Sequence, residues 1–540
     1  MLAVTRPWVV RAAVEGRSEP PFDRLHDPLG HSILLRDALA QEAFETSWRD
    51  DAQLTRLTRK RAPLGPALAA ALQQAHQRLG APAASLEALA KLARGEAVCT
   101  VAGQQPAVLG GPLFSLHKVA AAVGLARRVT ARTGVSCVPV FWNHVEDSDF
   151  DEIRTVTNAN VGLELADFQL GTELHAEGGL VGDLPIGPLK RVSEEAIARW
   201  SGLAGHAAVL QLARNGWARA RDLGEAHAAL MLELFGTQGL VVVDPRMPEF
   251  RAAARPVITR YLQRHSELGG AARSAGSKLE ARLGRAPLSE AALESFVFVL
   301  RDGRRHKIGP DEAKALPGET VLIPSVALRP VVQDHVLPTV AMACGPGELA
   351  YLAQLRGVFE GLEVRAACPV PRFGATWLPP AAIELLGATE ADPWSLVAGT
   401  DRVLRQHAEA RVPPALRRDL ADMRSDLTAR LEAFAGASTA LDPSLPQMVE
   451  SARTKIDFQI ARLLEGLAGK ARHRMEREHP EWLRLRYYLL PGDKLQERRL
   501  AALEPVAYRG PAMIQELCDL AEKHAREFEG GHHFHYLLEL

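Results

Sequence analysis

No run of apolar residues in this chain approaches the length of a membrane span, so a transmembrane role is not expected. Charge of one sign is lacking too. Lys and Arg total 64 against 65 Asp and Glu, a formal net charge of -1. That balance excludes a nucleic-acid binder working through bulk positive charge. The five cysteines (Cys99, Cys137, Cys344, Cys368 and Cys518) form no C-x-x-C pair. They read as buried, reduced thiols of a cytoplasmic protein, and none has the electropositive setting of a nucleophile. There is no Walker loop, no G-x-S-x-G elbow and no H-x-E with C-x-x-C. The amino terminus sets Arg6 and Arg11 around Trp8-Val9-Val10 and does not read as a secretory signal.

What is present begins with length. At 540 residues the chain exceeds one ordinary core, and two or more units are expected. The most informative stretch is 97–152. Val98 to Ala102 and Cys137 to Trp142 have the length and β-branched content of strands buried on both faces. Between them lies a helical run, with Pro112 suited to its first turn and Gly134 to its end. This is a βαβ unit. The polar groups Gly103-Gln104-Gln105-Pro106 and Asn143-His144-Val145-Glu146-Asp147-Ser148-Asp149-Phe150-Asp151-Glu152 therefore fall at carboxyl ends of parallel strands, where open sheets bind ligands.

Residues 1–95 read as helical, with Leu54, Leu57, Leu64 and Leu72 apolar in polar surroundings. Further strands are expected at Leu240–Val243, Thr339–Cys344 and Val364–Val370, with a helix from the Gly345 turn through Phe359. Insertions into the core are placed at about 153–190 and 266–320. The second carries Asp302-Gly303, a two-residue hairpin signal. Leu416, Leu420, Met423, Leu427, Leu431 and Phe434 recur at three and four, as do Val449, Ala452, Ile456, Ile460, Leu463 and Leu467. They predict an antiparallel coiled-coil hairpin. The expected layout is a Rossmann-like α/β core over 1–382, a coiled-coil domain over 383–490, and a segment 491–540 that packs back on the core.

Several polar groups then compete as sites. Lys118 and His117 lie early in the helix after the first strand, where an anion would be welcome. Alternatively, Lys118 pairs with Glu146 or Asp147 and His117 is a satisfied core imidazole. Glu146, Asp147, Asp149, Asp151 and Glu152 would bind Mg²⁺ beside phosphates, hold a substrate amine and take its proton, or form a solvated loop. A calcium loop is excluded, because the glycine and the final glutamate are missing. Asp244 either joins the same sheet edge or opens a turn before Pro245. Gly345-x-Gly347 between strand and helix formally matches a dinucleotide turn, yet Cys368-Pro369 stands where the acid belongs. His532, His533 and His535 lack zinc spacing, so no metal site is assigned; one of them could line a pocket.

The combination Gly103-Gln104-Gln105-Pro106, Gly111-Pro112-Leu113, His117-Lys118, Pro139-Val140-Phe141-Trp142 and Glu146-Asp147-x-Asp149-Phe150 resembles the bacillithiol synthase family, the cysteine ligases of bacillithiol biosynthesis. Pro324-Ser325-Val326-x-x-Arg329-Pro330-x-x-Gln333-Asp334, Gly345-Pro346-Gly347-Glu348-x-x-Tyr351 and Gln496-Glu497-Arg498 extend the resemblance over almost the whole chain. It implies a Rossmann-like core with inserted connecting segments and a coiled coil that forms a homodimer. It also implies a reaction joining L-cysteine to glucosaminyl malate through an amide, with ATP or another nucleotide expected to activate the carboxylate. On this reading His117, Lys118, Glu146, Asp147 and Asp149 are catalytic. Gln104, Gln105, Trp142, Asn143, His144, Arg329 and Gln333 bind substrate, and Gly345 and Gly347 approach a cofactor. Ser148 stands where the family pattern has a histidine, and His144 appears earlier. Two other classes compete: an oxidoreductase with a dinucleotide on the Gly345 turn, and a non-catalytic coiled-coil scaffold.

Overall fold

The computed structural model describes residues 8–10, 33, 37–59, 61–309, 312, 316–317, 319–388 and 408–540. The rest of the amino-terminal stretch discussed above, residues 1–7, 11–32 and 34–36, lies outside the described residues. Two units are present, Met1–Ile383 with Pro491–Leu540, and Glu384–Leu490. Among the described residues no helix is long and apolar enough to cross a membrane.

The first unit is built on a five-stranded sheet. Its strands are β1 (Ala97–Gln104), β2 (Ser136–Asn143), β3 (Val241–Val243), β4 (Thr339–Cys344) and β5 (Cys368–Pro371). They lie in the order β5-β4-β1-β2-β3, all parallel. Every residue of β1 and β4 is buried, which is why both read as continuous apolar runs. Pro369 and Pro371 are tolerated because β5 is an edge strand. The chain winds outward from β1 through β2 to β3, then returns to start β4 on the other side of β1. The carboxyl ends of β1 and β4 therefore flank a topological switch point.

Helix α1 (Phe114–Thr133) follows β1 and stops at Gly134, whose left-handed φ of 72° suits a glycine. Helix α2 (Arg329–Val336) precedes β4, and α3 (Pro346–Leu352) follows it. The helix expected from the Gly345 turn through Phe359 is broken. A separate helix covers Arg356–Gly361, and at the break the buried Gln354 side chain bonds Leu288 N–H and Ala272 O at 3.0 Å each. Strand β5 likewise begins at Cys368 rather than at Val364.

One insertion forms the antiparallel hairpin Thr155–Ala159 with Leu165–Gln169. The other forms a three-stranded antiparallel sheet of Arg304–Lys307, Val297–Arg301 and Leu322–Pro324. Asp302 (φ 49°) and Gly303 (φ 72°) make its turn, the geometry that an Asp-Gly hairpin adopts. The insertions meet where Arg305 N–H donates to Gly178 O at 2.7 Å.

The second unit carries α4 (Pro414–Ser438) and α5 (Leu445–Glu478). Ion pairs Arg424–Asp457 (2.9 Å) and Arg453–Glu432 (3.9 Å) fix an antiparallel register. Val449 and Ile460 are buried, while Leu416, Met423, Phe434, Met448 and Leu463 are exposed.

Past that unit, α6 (Met513–Glu529) lies against α1. The crossing is so close that a Cβ on Gly124 would sit 2.5 Å from Glu522 N. Strand β6 (Gly374–Leu378) pairs in parallel with β7 (His533–Glu539), and β7 pairs antiparallel with Trp8–Val10.

Candidate functional site

The site grows from the last residues of β1. Lys118, on the first turns of α1, points its ammonium at Gly103 O (2.8 Å), Gln104 Oε1 (3.2 Å) and Glu348 Oε2 (2.8 Å). An ammonium has three donors, and all three are engaged. Glu348 comes from the far side of the switch point, on α3, and also accepts the Gly345 N–H at 2.8 Å. Its other oxygen lies 3.8 Å from Arg329 Nη2, which donates to the Tyr351 hydroxyl at 2.7 Å. Burial alone would raise the Glu348 carboxyl; Lys118 and Arg329 outweigh it and hold the group below its usual range.

Because Lys118 takes the Gln104 oxygen, the Gln104 amide must turn its nitrogen the other way. It donates to Glu152 Oε1 at 3.5 Å. Glu152 stands exposed at the rim. Surrounding protein, then Asp149 and Asp147, push its carboxyl upward. A polar arc results, running from Glu152 through Gln104, Lys118 and Glu348 to Arg329 and Tyr351.

Three buried groups along this edge have hydrogen-bonding capacity left over. Arg329 is 6% exposed, and its Nε and Nη1 have no partner. His144 Nε2 and Gln105 Oε1 are also buried and unpartnered. Burial, then the charges of Arg329 and Lys118, hold the His144 imidazole well below its usual value. A Cβ on Gly103 would come within 2.4 Å of His144 Nε2, so glycine there lets the ring lie over the strand end. A buried guanidinium with idle N–H groups is costly unless an anion meets it.

The other sequence-predicted residues have structural partners. Lys118 pairs with neither Glu146 nor Asp147. Glu146 bonds Arg251 at 2.6 Å, and burial raises its carboxyl. Asp147 accepts from Ser148 N–H (2.6 Å) and Arg305 Nη2 (3.2 Å), and Asp149 caps the short helix Phe150–Ile153. His117 faces away from the arc. Its Nδ1 lies 3.0 Å from Glu497 Oε2, and its Nε2 accepts from Trp377 Nε1 at 3.2 Å. Trp142 packs edge-on against Phe250 at 5.1 Å. Asn143 spans Gly224 O (2.8 Å) and His227 Nδ1 (3.1 Å). Gln333 donates to Asp334 Oδ1 at 3.1 Å while its own oxygen stays unpartnered. Asp244 is drawn to Arg246 at 2.7 Å. His535 is buried against Thr376 Oγ1 at 2.9 Å, and His533 against His524. Glu348 and Tyr351 have no role of their own in the sequence pattern, and Glu152 appears there only as one of five clustered acids. Glu348, third residue of α3, carries a visible signal: an acid there caps its own helix.

Two turns of this fold could seat a nucleotide phosphate, those after β1 and after β4. After β1, the amide of Leu113 is used by Leu500 O (2.8 Å), and Gly111 O accepts the Ala502 N–H at 2.7 Å. Residues 500–502 thus cover that turn. After β4, the Gly345 amide is held by Glu348. Neither turn, as folded, offers a phosphate a free amide at these positions. Among the described residues, no group of three or more His, Cys, Asp or Glu side chains converges to hold a metal.

Comparison with known proteins gives two family matches. "Bacillithiol biosynthesis BshC, N-terminal Rossmann-like domain" matches residues 27–320 and 313–373, and "Bacillithiol biosynthesis BshC, C-terminal coiled-coil domain" matches 375–530. A protein of Koribacter versatilis named "Putative cysteine ligase BshC" is 30% identical over 472 residues, 84% of this chain and 87% of its own length. Proteins of the same name are 30% identical over 487 residues in Symbiobacterium thermophilum and 28% over 460 in Geobacillus kaustophilus. They cover 84% and 80% of this chain, and 87% and 83% of their own lengths.

Proposed function

Because this chain belongs to the BshC family of bacillithiol biosynthesis, matched in both its Rossmann-like and its coiled-coil domain, we propose that it is a ligase joining L-cysteine to glucosaminyl malate through an amide bond. The observation that carries the reading is Arg329. It is a buried cation beside the switch point with two nitrogens, Nε and Nη1, idle, and both substrates carry carboxylates. A guanidinium fork matches a carboxylate geometrically and binds it with charge-assisted hydrogen bonds.

Amide formation joins an amine nitrogen to a carboxyl carbon and loses an oxygen from that carbon. At neutral pH the carboxylate needs activation first, and ATP or another nucleotide, with Mg²⁺, would supply it. No step is assigned to such a group here, because the Leu113 and Gly345 amides at the two phosphate-type turns are already bonded. A dinucleotide on the Gly345 turn would have to compete with Glu348 for the Gly345 amide. This chain's contribution is positional. Lys118 ties the end of β1 to the Glu348 turn, which keeps Arg329 in place, and the neutral His144 ring presents a further nitrogen beside it.

The test is direct. Purified protein given cysteine, glucosaminyl malate and ATP should form bacillithiol, read by thiol labelling and mass spectrometry. Arg329→Met should abolish it. Wild-type turnover in that variant would overturn the assignment. A strain lacking the gene should accumulate glucosaminyl malate, and normal thiol levels there would count against the function itself.

The coiled-coil hairpin is read as the surface on which two copies pair. Leu416, Met423 and Phe434 lie seven and eleven residues apart, spacings that return to one helix face. All three are exposed. Placing glutamate at Met423 and Phe434 should convert a dimer to a monomer in sedimentation. A wild-type chain that is monomeric at micromolar concentration would refute the pairing.

A further inference from the structure

The arc is asymmetric, and its asymmetry has a chemical meaning. One end is a solvent-facing carboxylate, Glu152, whose side-chain partner among the described residues is Gln104, at a long 3.5 Å. The other end is Arg329, with Nε and Nη1 idle. Between them the charges cancel locally: Lys118 is saturated by three acceptors, and Glu348 by Lys118 and the Gly345 amide. A ligand therefore meets a free negative group at one end, a free positive group at the other, and a closed ion pair in the middle. Gln104 fixes this polarity. With its oxygen committed to Lys118, only its nitrogen can face Glu152, which orients that carboxylate. None of Glu146, Asp147 and Asp149 can substitute, since each is already bonded to Arg251, to Arg305 or to a helix end.

We infer that this edge is a dipolar clamp for an ammonium carboxylate compound, with Glu152 taking the amine and Arg329 the carboxylate, and that L-cysteine is its occupant. The choice of cysteine rests on the ligase reading; the clamp itself rests on the arc. Glu152 is thus a substrate-binding residue that no acidic-loop pattern singles out from its four neighbours. It is exposed, so its replacement does not threaten the fold.

Calorimetric titration of the full chain with three thiols separates the charges. L-cysteine carries both, cysteamine lacks the carboxylate, and 3-mercaptopropionate lacks the amine. Glu152→Gln should weaken cysteine and cysteamine by about tenfold or more, the loss of one charge-assisted hydrogen bond, and leave 3-mercaptopropionate within about twofold. Arg329→Lys should weaken cysteine and 3-mercaptopropionate and spare cysteamine. The clamp is overturned if Glu152→Gln leaves cysteine binding unchanged, if it weakens 3-mercaptopropionate as much as cysteine, or if the wild type binds none of the three. Failure of the ligase reading looks different: the charge-selective losses appear, yet no bacillithiol forms from cysteine and glucosaminyl malate. Conversely, bacillithiol formed by Glu152→Gln with an unchanged KM for cysteine sinks the clamp and leaves the ligase standing.

Discussion

Replacing Lys118 with methionine removes the cation that joins the two halves of the sheet at the switch point. The side chains of Lys118 and Glu348 are 8% and 12% exposed, so water screens the pair little. Removing one partner of a buried ion pair leaves an uncompensated charge, at a cost of about 3–5 kcal/mol. Arg329, 3.8 Å from Glu348, can take up part of the field but not the hydrogen bond. The pH dependence follows from Glu348. In the wild type its carboxyl is held below the reference value of 4.5. It therefore contributes stability that is present above that pH and lost as acid carries the solution through the depressed value. Without Lys118, burial should dominate and raise it, so protonation relieves the variant while it weakens the wild type. Urea unfolding followed by tryptophan fluorescence should show the full deficit at pH 7 and a narrower one near the carboxyl range. The double variant Lys118→Met with Glu348→Gln should recover most of the loss, because no charge is stranded. A deficit under about 1 kcal/mol, or a double variant no more stable than the single one, would refute the assignment of Lys118 as the tie.

Three further variants follow from the same geometry. Gly345→Ala should be tolerated within about 0.5 kcal/mol, since φ is -75° and the new Cβ meets only ordinary contacts, Glu348 Oε2 at 3.4 Å and Lys118 Cε at 3.9 Å; nucleotide-dependent turnover that falls in this variant would show that the turn does approach a phosphate. Gly124→Ala drives a Cβ to 2.5 Å from Glu522 N and 2.6 Å from Ala521 C, backbone that cannot step aside, and should cost about 1–3 kcal/mol or more, seen as faster hydrogen exchange along α6. Glu497→Gln strips the charge between Arg372 (2.6 Å) and His117 (3.0 Å) in a site where Glu497 is 2% exposed; it should cost about 3–5 kcal/mol. Burial would raise the Glu497 carboxyl, but Arg372 and His117 hold it well below its usual range. Wild-type stability should accordingly decline as acid reaches that depressed value, and the variant should lack this decline.

The parts of the fold that show in the sequence are those fixed by local pattern. The apolar runs of β1, β2 and β4 need burial on both faces, and only a sheet with helices around it supplies that. Asp302-Gly303 admits few backbone shapes, so the hairpin is visible residue by residue. The recurrence of Leu420, Leu427 and Leu431 against Val449 and Ile460 can be satisfied only by packing helix on helix. What does not show is partnership across the switch point. Lys118 and Glu348 belong to opposite halves of the sheet, and nothing local distinguishes Glu348 as its partner from Glu146 or Asp147, which stand nearer in the chain. The adjacent pair His117-Lys118 is similarly opaque. Consecutive helical residues point about 100° apart, so one reaches the sheet edge and the other the carboxyl-terminal strands. In the acidic loop the pattern favours the crowded Asp147 and Asp149. Those are the residues a tight turn uses for its own amides, and Glu152, one helical turn later, is left facing the arc.

The remaining departure concerns how this sheet handles anions. Doubly wound folds commonly seat an anion on backbone amides where the first strand turns into its helix, with glycines allowing close approach. The turn after β1 keeps the glycines: Gly110 and Gly111 have φ of 82° and 80°. The close approach they permit is to the chain itself, since Ala502 Cβ lies 3.3 Å from where a Gly110 side chain would begin, and Leu500 and Ala502 bond the turn on either side of Pro112. With the Leu113 amide and the Gly111 carbonyl committed, the free positive charge at this edge belongs to a side chain, Arg329, delivered by α2 from the other half of the sheet. A backbone nest holds a phosphate by many weak donors and is indifferent to what the phosphate carries. A lone guanidinium fork fits the plane of a carboxylate and asks for a second anchor to fix orientation, which the ammonium partner at Glu152 supplies. Covering the turn after β1 and freeing Arg329 are thus two sides of one arrangement, the one that the proposed amino-acid clamp uses.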